Sequence, residues 1–189
     1  MYSMSPPMGV IMPRITISGH PGSGTSTLVS KLSQKYGWST INGGQVFRDE
    51  AAKRGLSLSD FGKLCSEDEM VDRDLDDKLK RIIEENEIDI VESRLAGWWA
   101  YRLDSKCIRL WLEVSDEERA NRVSSREKIT VDIALKENHE RSDRDSKRYI
   151  KMYGIKPEQR EPYTHVVDAT DIAIDEVFSR VVEILEGSN

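Results

Sequence analysis

From Arg14 onward, short β-branched or apolar runs alternate with longer amphipathic stretches. Ile15-Thr16-Ile17 closes on Ser18-Gly19, and after a Gly/Ser-rich stretch Leu28, Val29, Leu32 and Tyr36 follow at helical spacing. The pattern predicts strand, loop, helix. Trp38 to Ile41 reads as a second strand, Gly43 to Arg54 and Leu58 to Cys65 as helices, and Met70 to Asn86 as a longer helix. Ile88 to Glu92, Cys107 to Val114 and His165 to Val167 are three further strands, with helices over 115–128 and 130–153. Ser66-x-x-Glu69 and Ser115-x-x-Glu118 have capping-box spacing, in which each end satisfies the other's free backbone donor, and they predict two helix starts. Strands alternating with helices imply an α/β fold: a five-stranded parallel sheet with helices on both faces.

Composition narrows the class. With 189 residues the chain is expected to form a single domain over 14–189, and 28 basic against 34 acidic residues leave a net charge of −6. That balance argues against a nucleic-acid-coating protein, whose footprint would be basic. The longest apolar runs are strand-length, so no membrane partner is expected. Residues 1–13 are rich in Met and Pro and lack the basic and apolar regions of a signal peptide. They read as a flexible leader, and the cytoplasm is the expected compartment. Cys65 and Cys107 lie far apart without metal-ligand spacing, which predicts buried thiols.

Candidate chemistry begins in the first loop. Gly19-His20-Pro21-Gly22-Ser23-Gly24-Thr25-Ser26 fits G-x-x-x-x-G-x-[ST] between a predicted strand and a predicted helix. Glycines let successive backbone N–H groups converge, and the following helix adds its positive N-terminal dipole. A triphosphate tail fits such a cradle, and Ser26 holds the position that ligates Mg²⁺. A plain Gly-rich turn is the alternative, and the correct flanks on both sides favour the phosphate loop. The usual lysine is replaced by Thr25, so another cation should supply the missing charge.

Arginines are the natural source. Arg119, Arg122 and Arg126, and again Arg141, Arg144 and Arg148, stand at i, i+3 and i+7, so each triplet lines one helical face. Guanidinium forks on one stripe suit phosphoryl oxygens, although nearby carboxylates also allow a solvated surface. Arg94 follows the Ile88 to Glu92 strand and Arg48 sits in the helix after the second strand, both at strand ends where ligands bind in open α/β folds. Glu92 is a candidate partner for Mg²⁺. Trp98-Trp99 is expected to pack rather than to stack a base, and the acidic cluster Asp72, Asp74 and Asp76 to form a solvated face.

These residues carry a likeness. The phosphate loop with Thr27, then Phe47-Arg48, Arg54-Gly55-Leu56-Ser57, Asp72-Arg73, Arg94-Leu95-Ala96-Gly97-Trp98 and Glu140-Arg141 through Lys147-Arg148-Tyr149, resembles the archaeal type of cytidylate kinase. The resemblance implies a P-loop NTPase fold with a helical arm for the nucleoside monophosphate (about 43–86) and a helical lid (about 115–153). It implies transfer of the γ-phosphoryl of ATP to CMP or dCMP with Mg²⁺, by a monomer. Gly19 to Thr27 would hold ATP phosphates, with Ser26 on the metal. Gly44, Arg48, Arg73 and Arg94 would bind the acceptor, and Arg119, Arg141, Arg144 and Arg148 would act on the transferred group. Three positions depart from the family pattern: Ser93 stands where glycine is common, and Asn42-Gly43 replaces Ser-Ala before Gly44. A kinase for another acceptor such as AMP or UMP, and a non-catalytic nucleotide switch, remain the alternatives.

Overall fold

The structure, a computed structural model, describes residues 13–85 and 88–187. Its centre is β1 (Ile15–Gly19), whose two faces are both covered. Ile15 and Ile17 are buried in one core, while Thr16 and Ser18, on the opposite side of the strand, are equally enclosed. A strand buried on both faces belongs in the middle of a parallel sheet. The other strands are β2 (Thr40–Asn42), β3 (Ile90–Glu92), β4 (Ile108–Glu113) and β5 (His165–Asp168), all parallel in the order β2-β3-β1-β4-β5. The predicted five-stranded parallel sheet is present.

One face is covered by α1 (Thr25–Tyr36) and α8 (Ile174–Gly187), which contribute Leu28, Leu32, Val177 and Val181 to the first core. The other face carries α4 (Glu69–Glu85), α5 (Ala96–Arg102) and the end of α7 (Val131–Tyr153), meeting through Leu79, Ile83, Trp98, Trp99 and Tyr149. Beyond it, α2 (Gly43–Lys53) and α3 (Leu58–Glu67) close a small cluster around Ala51, Phe61, Cys65 and Val71. At the opposite edge α6 (Asp116–Glu127) packs on α7 through Ala120, Val123 and Ala134.

Several elements differ from their sequence-based bounds. β2 starts at Thr40, because Trp38 stacks on Tyr36 with ring centroids 4.4 Å apart. Ser66 lies within α3 and does not open the next helix; there the Asp68 side chain accepts the Met70 N–H at 2.9 Å. Ser115 does cap α6, accepting from the Glu118 N–H. α5 gave no amphipathic signal because nearly all of its residues are buried. Both tryptophans pack as expected, Trp98 donating its Nε1–H to the Lys156 carbonyl at 3.1 Å. Cys65 and Cys107 are both buried, as expected, and are not joined in a disulfide. The expected leader and Asn86 lie outside the described residues, apart from Pro13, which is buried.

Gly97 fixes how closely α5 sits on the sheet. Its N–H donates to Ser18 Oγ at 3.2 Å, and a Cβ there would come within 2.3 Å of the Tyr163 ring. Gly97→Ala is therefore expected to lower stability by about 1–3 kcal/mol, read as a lower denaturant midpoint.

Candidate active site

The phosphate loop folds because two of its glycines take conformations that other residues rarely adopt. Gly22 and Gly24 have φ of +85° and +93°. A Cβ on Gly22 would also meet the Arg119 carbonyl oxygen at 2.8 Å. Ser23 closes the turn, its N–H and hydroxyl both donating to the His20 carbonyl, at 3.1 and 2.7 Å. α1 starts behind Gly24 with no side-chain cap and no acidic residue in its first turn, so its leading N–H groups and positive end face the loop. Burial, with the guanidinium groups of Arg119 and Arg94, pushes His20 down to about 4. The ring is neutral at physiological pH and does not replace the charge missing at Thr25.

Two arginines of α6 grip the loop from outside. Arg119, only 3% exposed, donates to the Pro21 carbonyl at 3.0 Å and pairs with Asp116. Arg122 donates to the Ser23 carbonyl at 3.1 Å and to the Ala169 carbonyl at 2.6 Å, and pairs with Glu118 at 2.8 Å. Asp116 also meets His139 Nε2 of α7 at 2.7 Å. Although burial opposes ionisation of Asp116, its bonds to Arg119 and His139 hold its carboxyl below the usual range.

Below the loop, the carboxyl ends of three strands converge. Parallel register sets Asn42 of β2 opposite Glu92 of β3, with Ile17 of β1 on the other side of Glu92. Ser26 donates its hydroxyl to Glu92 Oε1 at 2.8 Å, and Asn42 donates its side-chain amide to Glu92 Oε2. Glu92 is 7% exposed, and both of these hydrogen-bond partners are neutral. Asn42 also caps α2, accepting the Gln45 N–H at 2.9 Å.

Two cavities open here, of about 510 and 580 Å³. Gly19, His20, Pro21, Gly22, Thr25 and Ser26 line the first, with Asn42 and Glu92. The second lies between α2, α4 and the end of α7 and contains Phe47, Asp76, Arg144, Asp145, Arg148 and Tyr149. Gly44, Arg48, Ser93, Arg94 and Arg141 line both and form their common wall.

The expected residues thus separate. Arg144 and Arg148 face only the second cavity, and Arg141 faces both. Arg119, expected to act on the transferred group, lines neither cavity, because its guanidinium is bound to the loop backbone and Asp116. Arg73 lies outside both as well, 3.8 Å from Glu69 and over the Tyr153 ring. Of the remaining loop residues, Ser23 is buried, Gly24 precedes α1, and Thr27 is exposed on α1; none of the three lines a cavity. Asp76, read as part of a solvated face, instead lines the second cavity. Asn42, Asn138 and Asp145 were not singled out as site residues, since single polar residues at a strand end or inside a helix carry no spacing signal.

The common wall is electropositive. Asp145 lies 3.3 Å from Arg94 and 3.5 Å from Arg148. Desolvation, and then the guanidinium groups of Arg94 and Arg144, pull Arg141 below its ordinary value, with Asp145 opposing. Arg94 Nη1 is buried without a hydrogen-bond partner. Such an arrangement attracts an anion.

Comparison with known proteins agrees with this geometry. A family profile described as an AAA domain matches residues 15–145. The chain is 38% identical to the cytidylate kinase of Natronomonas pharaonis over 163 residues, covering 86% of this chain and 84% of that one. It is 36% identical to the cytidylate kinase of Pyrococcus furiosus (88% and 85% covered), and 41% identical to that of Methanosarcina mazei (82% and 87% covered). The chain belongs to the cytidylate kinase family. Its fold also matches an uncharacterized protein from Eubacterium ventriosum, with TM-score 0.67 at 16% identity over 91% of this chain and 97% of that one. A shikimate kinase from Acinetobacter baumannii in complex with shikimate matches with TM-score 0.58 at 12% identity, over 95% and 96%.

Gly43 and Ser93 meet in space. A Cβ on Gly43 would lie 2.7 Å from Ser93 Cβ, so the side chain absent at 43 makes room for the one present at 93. Alanine at 43 with glycine at 93 is the complementary solution. Gly43→Ala alone is expected to cost about 1–3 kcal/mol by crowding. Adding Ser93→Gly should recover most of it, as a coupling of about 0.5–3 kcal/mol in a double-mutant cycle of denaturant melts.

Proposed function

We propose that this protein transfers the γ-phosphoryl group of ATP to CMP or dCMP, giving ADP and CDP or dCDP. The wall shared by the two cavities carries this reading. Phosphoryl transfer asks for in-line positioning and charge neutralisation more than covalent chemistry, and Arg48, Arg94 and Arg141 stand where donor and acceptor phosphates would meet.

The first cavity takes the triphosphate on the amides of Gly19 to Gly24 and of the α1 terminus, with Thr25 and Thr27 nearby. The second takes the monophosphate: Gly44 lets its backbone approach, Arg48 and Arg94 hold the acceptor phosphate, and Arg144 and Arg148 offset charge from the lid helix. Arg141 neutralises the migrating group between them and, together with Arg122 behind the loop, supplies the charge that Thr25 lacks. Arg119 acts through Pro21 as a positioning residue for the loop, and Arg73 supports α4 outside the pocket.

Ser26 and Glu92 fit Mg²⁺, being a hydroxyl and a buried carboxylate with only neutral hydrogen-bond partners, beside the phosphate loop. When bound there with the nucleotide, the ion adds positive charge at the β and γ phosphates. Helices α6 and α7 form a lid over both cavities and exclude water that would otherwise hydrolyse ATP. The enzyme works as a cytoplasmic monomer without nucleic-acid partners. None of the described helices is long and apolar enough to cross a membrane.

A coupled assay of ADP release across CMP, dCMP, UMP, AMP and GMP is expected to give turnover with the cytidine nucleotides. Acceptor-independent ATP hydrolysis would contradict the reading, and preference for AMP or UMP would reassign the acceptor. Arg141→Ala should lower kcat by about 10³ with little change in either KM. An unaltered kcat would remove Arg141 from the transfer step.

A further inference from the structure

Resting on the kinase reading above, we infer that Asn138 binds the terminal phosphate of ATP through its side-chain amide N–H, and so makes the donor site prefer ATP to ADP. Asn138 stands two turns into α7 and is only 5% exposed. Its amide nitrogen is buried without a hydrogen-bond partner among the described residues. A donor enclosed in this way has given up water and gained no acceptor, which native folds seldom tolerate without a reason.

The surroundings of this side chain supply the reason. Ala134, Asn138 and Arg141 follow at i, i+4 and i+7, on one face of α7. Ala134 is packed with Ala120 and Val123 of α6, so that face is directed at α6. His139, the next residue, meets Asp116 of α6 through Nε2 at 2.7 Å, which fixes α7 about its own axis. Asn138 thereby lines the first cavity, together with Gly22, Thr25 and Ser26 of the phosphate-loop region, and does not line the second. Arg141, one turn further along, lines both. The γ-phosphoryl is the group that crosses the wall at Arg141, so a donor one turn away on the ATP side meets that phosphate before it moves. The remaining α7 residue on this cavity, Glu137, can only accept when ionised, and Arg126 of α6 is drawn to Glu127 at 2.7 Å. A phosphoryl oxygen needs donors, and the Asn138 amide offers one without asking for a counter-charge. ADP has no phosphate at this place.

Asn138→Leu keeps the bulk and removes the donor. Wild type and variant are titrated calorimetrically, with Mg²⁺ present, against ADP and against the ATP analogue whose β–γ bridging oxygen is replaced by NH. Affinity for the analogue is expected to fall about tenfold or more, while affinity for ADP stays nearly unchanged. An equal change for both nucleotides, or none for either, overturns the inference. Thermal melting without nucleotide gives a readout that a structural role would move the other way. Because no bond within the protein is lost with the amide, Asn138→Leu should melt no lower than wild type; a lower melting temperature with an unmoved ATP-to-ADP preference overturns the inference. If Asn138→Leu fails to fold, Asn138→Ala takes its place, with the same loss of preference expected and an unmoved preference again overturning it. The wild-type protein separates the two readings. Absence of turnover with CMP and dCMP alike would refute the kinase reading itself, whereas normal turnover with an unmoved preference in the variants refutes only the role of Asn138.

Discussion

A cradle of backbone amides can hold an anion only if the loop that carries it keeps its carbonyls turned away, and here two arginines from a distant helix do that. Arg119 takes the Pro21 carbonyl and Arg122 the Ser23 carbonyl, nearly one hundred residues away in sequence. The loop's glycines supply the required φ values, and the guanidinium bonds fix which way each peptide faces. Because Asp116 joins Arg119 to His139 on α7, the loop, α6 and α7 share one polar network. The loop's geometry and the position of α7 are therefore coupled.

The parallel sheet explains why everything else lies within reach. Its register brings the ends of β2 and β3 level, and Asn42, Glu92 and Ser26 meet in one hydrogen-bonded group. The segment after β3 carries Ser93 and Arg94 onto the wall between the cavities, while α2 returns Gly44 and Arg48 to the same wall. The two cavities adjoin because neighbouring strand ends do. Arg141 completes the wall from α7, whose far end is fixed in the second core by Tyr149.

Much of this could be read along the chain. The phosphate loop announces itself because its chemistry is local: strand, glycines, hydroxyl and helix occupy one stretch. The sheet was legible for the same reason, each strand being a short apolar run between helices. What escaped depends on contacts across the fold. Arg119 and Arg141 lie on similar arginine stripes, yet one is spent on the Pro21 carbonyl and Asp116 and the other faces both cavities. Asp76 sits among acidic residues, and only the packing of α4 beside α7 places it on the second cavity. Gly43 and Ser93 become intelligible once they are seen to share one space.

If the two cavities are one continuous site closed over a shared cationic wall, a single molecule should fill both. The most direct measurement is competition by a bisubstrate analogue, adenosine joined to cytidine through a phosphate chain, against ATP and against CMP. Binding of one analogue per protein chain, displacing both nucleotides competitively and more tightly than either binds alone, is the predicted result. An analogue that displaces only one nucleotide while the other stays bound would contradict the account.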